Sequence, residues 1–347
     1  MSHMSKPLTV IQIGNFKPEH STENHLKRAL EHNGHWVTAL QEDEQDCFLQ
    51  AMEAIHSDDV DFVLWTRTGW DWNHIFGNTF GHEIAHARQR LMLDAAKTAD
   101  VPVVGYHLDV WRRLQREHQL TEEPFFECDL VVTADGSDPD HWRSLGINHL
   151  WFLPGVSSAE CEPGVLRNEF QSRLAFVGSW QGHYHQEHQH RFELVEWLRK
   201  NFRRDCAFWP KQGQPAVRGA DLRDLYASVD VAVGDSCFSG DGIGRYVSDR
   251  IPESIGRGAL LLHPHTPGVT DGSVTPAGEA WRSGEHLACW DAGDWDQLGA
   301  KIEHLLALTP AERREIARAG REFTLAGHTY ETRMRQLVEA LAERGML

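Results

Sequence analysis

The chain has 347 residues, with 51 Asp and Glu against 34 Lys and Arg, a net charge of −17 and 22 histidines. That length suits two domains rather than a single core. The acidic balance disfavours general adhesion to nucleic acid or anionic membrane, no apolar run approaches the roughly 20 residues that span a bilayer, and six cysteines without a CxxC pair fit a reduced, cytoplasmic compartment.

Apolar strand patterns alternate with helical ones along the chain. LTVIQIG (8–14) reads as a buried strand ending in glycine, and Ser21-Thr-Glu-Asn followed by HLKRALEHNGH reads as a capped helix that stops at Gly34. Strands are predicted over 35–40, 61–65, 101–106, 130–133 and 150–153, and a helix over 82–99. Strands separated by helices imply a parallel sheet covered on both faces. Periodicity is then lost in GVSSAECEPGVLRNE, so the linker falls at 155–169. A second α/β set starts with LAFV (174–177) and continues through a helix at 190–200, a short strand at 207–209, a helix around Leu222–Tyr226 and a strand at 229–233. It ends in a glycine-rich loop, a helix opening near Ile251–Pro252 and a strand at 259–262. Amphipathic helices at 310–321 and 329–347 close the chain.

In parallel α/β units ligands bind beyond the carboxyl ends of the strands, where glycine lets backbone approach a phosphate. Two glycine-bearing loops follow strands in the second half: FVGSWQG, with Gly178, Ser179 and Gly182, and GDSCFSGDGIGRYVSDRIPE, with Asp241, Gly242, Arg250 and Glu253. Lys211 and Arg218 lie between them in chain order, with Arg191, Arg245 and Arg250 as competing cations. In the first half, GNFKPEHS carries Gly14, Asn15, His20 and Ser21, and GYHLDVWRRLQR places His107 and Asp109 just beyond a strand. WTRTGWDWNHIF offers Trp70, Trp72 and Arg67, and indole faces can stack on sugars or nucleobases. Asp109 is spaced to orient His107 or to act as a base.

Two histidine features compete. HEIAH (His82, Glu83, His86) has the HExxH spacing of a zinc hydrolase, but in a histidine-rich chain a chance match is common, and only Asp94 and Asp100 follow as third ligands. GHYHQEHQH gathers His183, His185, His188 and His190 without a cysteine or carboxylate cluster to complete a metal set, which favours a polar lid.

LYASVDVAVGDS and SDRIPESIGRGALLL resemble the donor-binding half of GT-B glycosyltransferases of the family 4-like and CgeB-like group. STENHLKRALEHNGHWV resembles their first helix, and HTYETRMRQLVEAL their last. The resemblance implies two Rossmann-like domains facing across a cleft. An acceptor-side domain would span residues 5–155 and a nucleotide-sugar domain 170–310, with helices at 311–347 of which the last returns to the first domain. It implies a nucleoside-diphosphate sugar as donor substrate, with no further cofactor and no metal, and retention of configuration. Glu253 would bind the ribose hydroxyls, Gly178, Ser179, Gly182, Asp241, Gly242 and Arg250 would surround the diphosphate, and Lys211 and Arg218 would neutralise it. His107 would touch the transferred sugar, and Gly14, Asn15, His20, Ser21, Trp70 and Trp72 would face the acceptor. The commoner family pattern has a second glutamate eight positions before Glu253, where this chain has Arg245, and Asp241 is its nearest substitute. With Asp109 available, inversion also stays open. The acceptor hydroxyl is open among a glycan, a small molecule, a protein and a hydroxymethylated DNA base. A nucleotide-sugar-binding protein without turnover is the remaining alternative.

Overall fold

The computed structural model describes residues 6–57, 59–67, 79–108, 119–136, 139–179, 189–236 and 245–347, excluding the side chains of 79–82, 119 and 189. The chain divides into two compact units, one running to Phe152 and taking in Glu331–Leu347, the other spanning Leu153–Tyr330.

The first unit contains β1 (Thr9–Gly14), α1 (Thr22–His32), β2 (Trp36–Gln41), α2 (Cys47–Ser57), β3 (Phe62–Thr66), α3 (Thr79–Thr98), β4 (Val103–His107), α4 (Gln119–Glu122), β5 (Leu130–Thr133), α5 (Pro139–Ser144) and β6 (His149–Trp151). Its six strands form one parallel sheet in the order β2-β1-β3-β4-β5-β6. The inner strands are buried on both faces, which is why they read as unbroken apolar runs, whereas β2 lies at an edge and leaves Trp36 70% exposed. Ser21 caps α1 by accepting a hydrogen bond from the Asn24 N–H, and Gly34 takes φ +88° just past its end, as the sequence predicts.

The second unit contains β7 (Ser172–Val177), α6 (Gln189–Asn201), β8 (Cys206–Trp209), α7 (Gly219–Ser228), β9 (Val229–Val233), α8 (Arg250–Gly256), β10 (Leu261–Pro264), a hairpin of β11 (Val274–Thr275) and β12 (Gly278–Glu279), then β13 (Ala288–Trp290), α9 (Trp295–Ala307) and α10 (Pro310–Gly327). Its parallel sheet has the order β13-β10-β9-β7-β8. The last helix, α11 (Tyr330–Glu343), belongs almost wholly to the first unit. There Met334, Leu337 and Leu341 are fully buried, and Arg333 lies over the Phe152 ring.

Both sheets reverse their direction of growth once. In the first unit the chain adds β2 on one side of β1 and then β3 on the other. In the second it adds β8 on one side of β7 and then β9 on the other. Each reversal opens a crevice at the carboxyl ends of two neighbouring strands, the usual seat of ligands in open α/β sheets. Register brings Gly14 level with Gln41, and Phe176 level with Val233, so the residues that follow these strands meet at one edge.

The helices α2 and α9 and the strand β13 were not anticipated. The spacing of Leu298, Ile302 and Leu305 does carry α9, and these residues are buried against the second sheet. The strand expected at 259–262 begins at Leu261 instead, because the Ala259 N–H is taken by the Ser254 carbonyl in the turn after α8.

No helix among the described residues is long and apolar enough to cross a membrane. Gly320, inside α10, allows a close approach: a Cβ there would stand 2.2 Å from the His286 carbonyl oxygen and 2.9 Å from Ile255 Cγ2. Gly→Ala inside a helix ordinarily gains about 1 kcal/mol. Here Gly320→Ala should instead lose about 1–3 kcal/mol through overpacking against backbone, read as a lower urea midpoint. A higher midpoint would contradict this packing.

Candidate active site

At the crevice of the second unit, Gly178 follows β7 and Gly234 follows β9, each continuing the ladder by one hydrogen bond, to Trp209 O at 2.8 Å and Leu262 O at 2.9 Å. Arg250, the first residue of α8, runs across both. Its Cγ lies 3.7 Å from where a Cβ on Gly234 would be, and its Nη2 lies 3.2 Å from where one on Gly178 would be. At Gly178 the absence of a side chain makes room for the guanidinium, whereas the Cγ beside Gly234 is at ordinary van der Waals distance. Among the described residues that guanidinium donates no hydrogen bond to protein. Burial depresses its pKa, but the fields of Tyr226, Asp249, Glu253 and Asp235 outweigh burial and hold it above the ordinary arginine value.

A second arginine joins it. Arg191 Nε donates to Asp235 Oδ2 at 2.6 Å, and its Nη1 donates to the Ser179 carbonyl at 3.1 Å. The two side chains of this ion pair are only 12% and 6% exposed, and removing one partner from so buried a pair typically costs about 3–5 kcal/mol. Ser236 is also buried, and the fully buried His263 has its pKa lowered mainly by burial.

Beneath this edge α8 is pinned by the Ser254 hydroxyl, which donates to Tyr226 Oη at 2.9 Å, and by the buried ion pair of Arg257 with Glu160. Arg257 also donates to the Glu253 carbonyl at 2.9 Å, which fixes the backbone of the half-buried Glu253.

The structure therefore brings together Gly178, Ser179 and Arg250, with Glu253 one turn further along α8. Lys211 and Arg218 are exposed. Lys211 lies 4.6 Å from the Trp209 ring centre and Arg218 precedes α7, and among the described residues neither shares a hydrogen bond or ion pair with the Arg250 group. Arg245 is exposed as well. Gly182, Asp241, Gly242 and the histidines at 183, 185 and 188 lie outside the described residues, and His190 pairs with Glu193 on the surface. Asp235 lies within the GDSCFSGDGIGRYVSDRIPE stretch that the sequence offers as a donor loop, without standing out there. Its signal was a lone GDS after a strand.

At the crevice of the first unit, Gly14 is buried and a Cβ there would strike Glu23 Cγ at 2.5 Å. Asn15 Oδ1 accepts from Gln41 Nε2, Ser21 serves as the cap of α1, His20 is half-buried, and the Asn24 amide ties the 15–21 loop through the Phe16 and Pro18 carbonyls. His107, 5% exposed, and Arg67 both approach the Phe125 ring, and Arg67 pairs with Glu123 at 2.6 Å. Asp109, Trp70 and Trp72 lie outside the described residues. Within HEIAH, Glu83 is exposed, and the described residues hold no group of three His, Cys, Asp or Glu able to bind a metal.

One buried group here does not stand out in the sequence either. Glu42, 1% exposed, follows β2; its N–H donates to the Gly14 carbonyl, its Oε1 accepts from Trp65 Nε1 at 2.9 Å, and its Oε2 has no partner among the described residues. Burial lifts its pKa to about 7; Arg67 and the Trp65 hydrogen bond oppose the rise, and Glu23 and Asp43 add to it.

Residues 167–339 match the family described as glycosyl transferase-like. Over that span the chain belongs to the glycosyl transferase-like family. Among solved structures, HepE of Anabaena in complex with UDP-glucose is 12% identical over 97% of this chain and 100% of its own, with a TM-score of 0.56. AviGT4, a glycosyltransferase involved in avilamycin A biosynthesis, is 13% identical over 96% of each chain, with a TM-score of 0.50. The N-terminal domain of Candida albicans trehalose-6-phosphate phosphatase is 11% identical over 99% of this chain and 98% of its own, with a TM-score of 0.58. These likenesses show the fold, the GT-B pairing of two Rossmann-like domains. No curated protein matches the chain. The family span of this glycosyltransferase holds the whole Gly178, Asp235, Arg250 and Glu253 group.

Glu42 should make stability depend on pH. Its folded pKa stands above the ordinary 4.5, so the folded protein keeps a proton that the unfolded chain releases. That contribution is complete below pH 4.5 and is lost as pH rises through about 7. Glu42→Gln, which resembles the protonated side chain, should therefore gain on the wild type by up to about 3 kcal/mol between pH 5 and pH 8 in urea unfolding. A difference independent of pH would contradict the burial of a protonated carboxyl.

Proposed function

We propose that this glycosyltransferase moves a sugar from a nucleoside-diphosphate sugar to an acceptor hydroxyl, and that the donor's diphosphate binds at the carboxyl edge of the second sheet. One observation carries this reading: the guanidinium of Arg250 stands at the Gly178 turn, on the point where strand order reverses, and among the described residues it donates no hydrogen bond to protein. A planar fork of N–H groups beside a glycine turn fits phosphate oxygens. HepE, which shares the fold, binds UDP-glucose, so a UDP-sugar is the first donor to try.

In the reaction the bond from the sugar's anomeric carbon to the diphosphate oxygen breaks, and a bond from that carbon to the acceptor oxygen forms. Negative charge grows on the departing diphosphate, and groups that stabilise it more in the transition state than in the bound donor lower the barrier. Arg250 and Arg191 supply that stabilisation here, the role a divalent cation plays elsewhere, which supports a metal-independent mechanism. In a retaining reaction the departing oxygen itself takes the acceptor's proton, so no protein base is required. Glu253, on a helix fixed by Ser254 and Arg257, would accept hydrogen bonds from the two ribose hydroxyls. The first unit would receive the acceptor near Gly14 and His107. The acidic balance of the chain favours a glycan or small-molecule hydroxyl over duplex DNA.

Glu253→Ala should weaken binding of UDP or of the cognate nucleoside diphosphate by about 1–3 kcal/mol in titration calorimetry, since two charge-assisted hydrogen bonds are lost. EDTA should leave both constants unchanged. Full affinity in a folded variant would remove Glu253 from the ribose.

A further inference from the structure

We infer that Asp235 is a positioning residue that holds Arg191 at the turn beside Arg250, at the spacing a diphosphate requires; this rests on the donor reading above. Three separate elements supply these groups. Asp235 follows β9, Arg191 comes from α6, and Arg250 opens α8. Arg191 is anchored twice, by its Nε on Asp235 at 2.6 Å and by its Nη1 on the Ser179 carbonyl at 3.1 Å, so its fork is held against the turn after β7. Arg250 reaches the same turn, with Nη2 beside Gly178, and Asp235 contributes to the field that keeps it charged.

Two guanidiniums at one turn repel each other, and a single carboxylate between their elements offsets that repulsion without cancelling both charges. The result suits a ligand carrying two phosphoryl groups. A monophosphate can engage one fork, whereas a diphosphate can engage both, so Asp235 should govern discrimination between them rather than nucleotide binding as such. This separates Asp235 from Glu253, which would act on the ribose of either ligand. It also explains why cations of this site are drawn from within the sheet edge, while Lys211 and Arg218 stay at the surface.

The test is titration calorimetry of UDP and UMP, with GDP/GMP and ADP/AMP as further pairs, on the full chain as wild type, Asp235→Ala and Asp235→Asn. The wild type should prefer one diphosphate over its monophosphate by about tenfold or more, as expected for one extra charge-assisted contact. Asp235→Ala should lose most of that preference while the monophosphate constant changes by less than about threefold, well under one such contact. Asp235→Asn, which keeps the shape and one acceptor oxygen, should fall between the two and carries the test if the alanine variant does not fold. A variant that folds and keeps the wild-type diphosphate preference overturns the role of Asp235 while leaving the donor site standing. A wild type that binds no diphosphate of the three overturns the donor reading and this inference together.

Discussion

The second unit is organised around the accommodation of Arg250. A guanidinium is costly to place at a sheet edge unless charge and space are provided for it. Both are built into the chain: space comes from glycine at the end of β7, and charge from Asp235, Asp249 and Glu253. Pinning of α8 by the Ser254 to Tyr226 hydrogen bond and by the Arg257 to Glu160 pair then fixes the point from which Arg250 departs. Glu253 inherits its position from the same helix, so the two residues assigned to diphosphate and ribose are set by one rigid element.

The equivalent edge of the first unit has the opposite electrostatic character. There Glu42 and the partly buried Glu123 act on Arg67, the buried Glu23 acts on Glu42, and Glu42 is driven towards its neutral form. A surplus of acid repels phosphate and tolerates hydroxyls, which accords with assigning donor and acceptor to different units. The glycine at this edge, Gly14, gives way to Glu23 rather than to a cation. Two sheets with the same switch-point topology thus differ in what their edges can bind, because different side chains fill the space under the glycine turn.

Much of this was legible in the sequence. The strands β5 and β9 lie where their apolar runs place them, and the cap of α1 is readable in Ser21. Gly178, Arg250 and Glu253 could be found because glycine after a strand and a glutamate opening a helix are local patterns. Asp235 and Glu42 could not be singled out. A lone acid after a strand is indistinguishable from a turn residue until pairing places Gly234 beside Leu262 and Gly14 beside Gln41, and pairing between strands distant in sequence is not a local property. Chain order favours Lys211 and Arg218 as the cations, whereas the fold gathers Arg191 and Arg250 at the turn after β7.

The central claim is that a nucleoside diphosphate binds where β7, β9 and α8 meet. Backbone hydrogen exchange with and without UDP, or whichever nucleoside diphosphate binds, tests it most directly, because the readout is local and needs no knowledge of the acceptor. Exchange should slow at Gly178 and Ser179, at 234–236 and along Arg250–Gly256, with little change at the surface around Lys200 and Arg203. Protection confined to other segments, or none at saturating nucleotide, would contradict it.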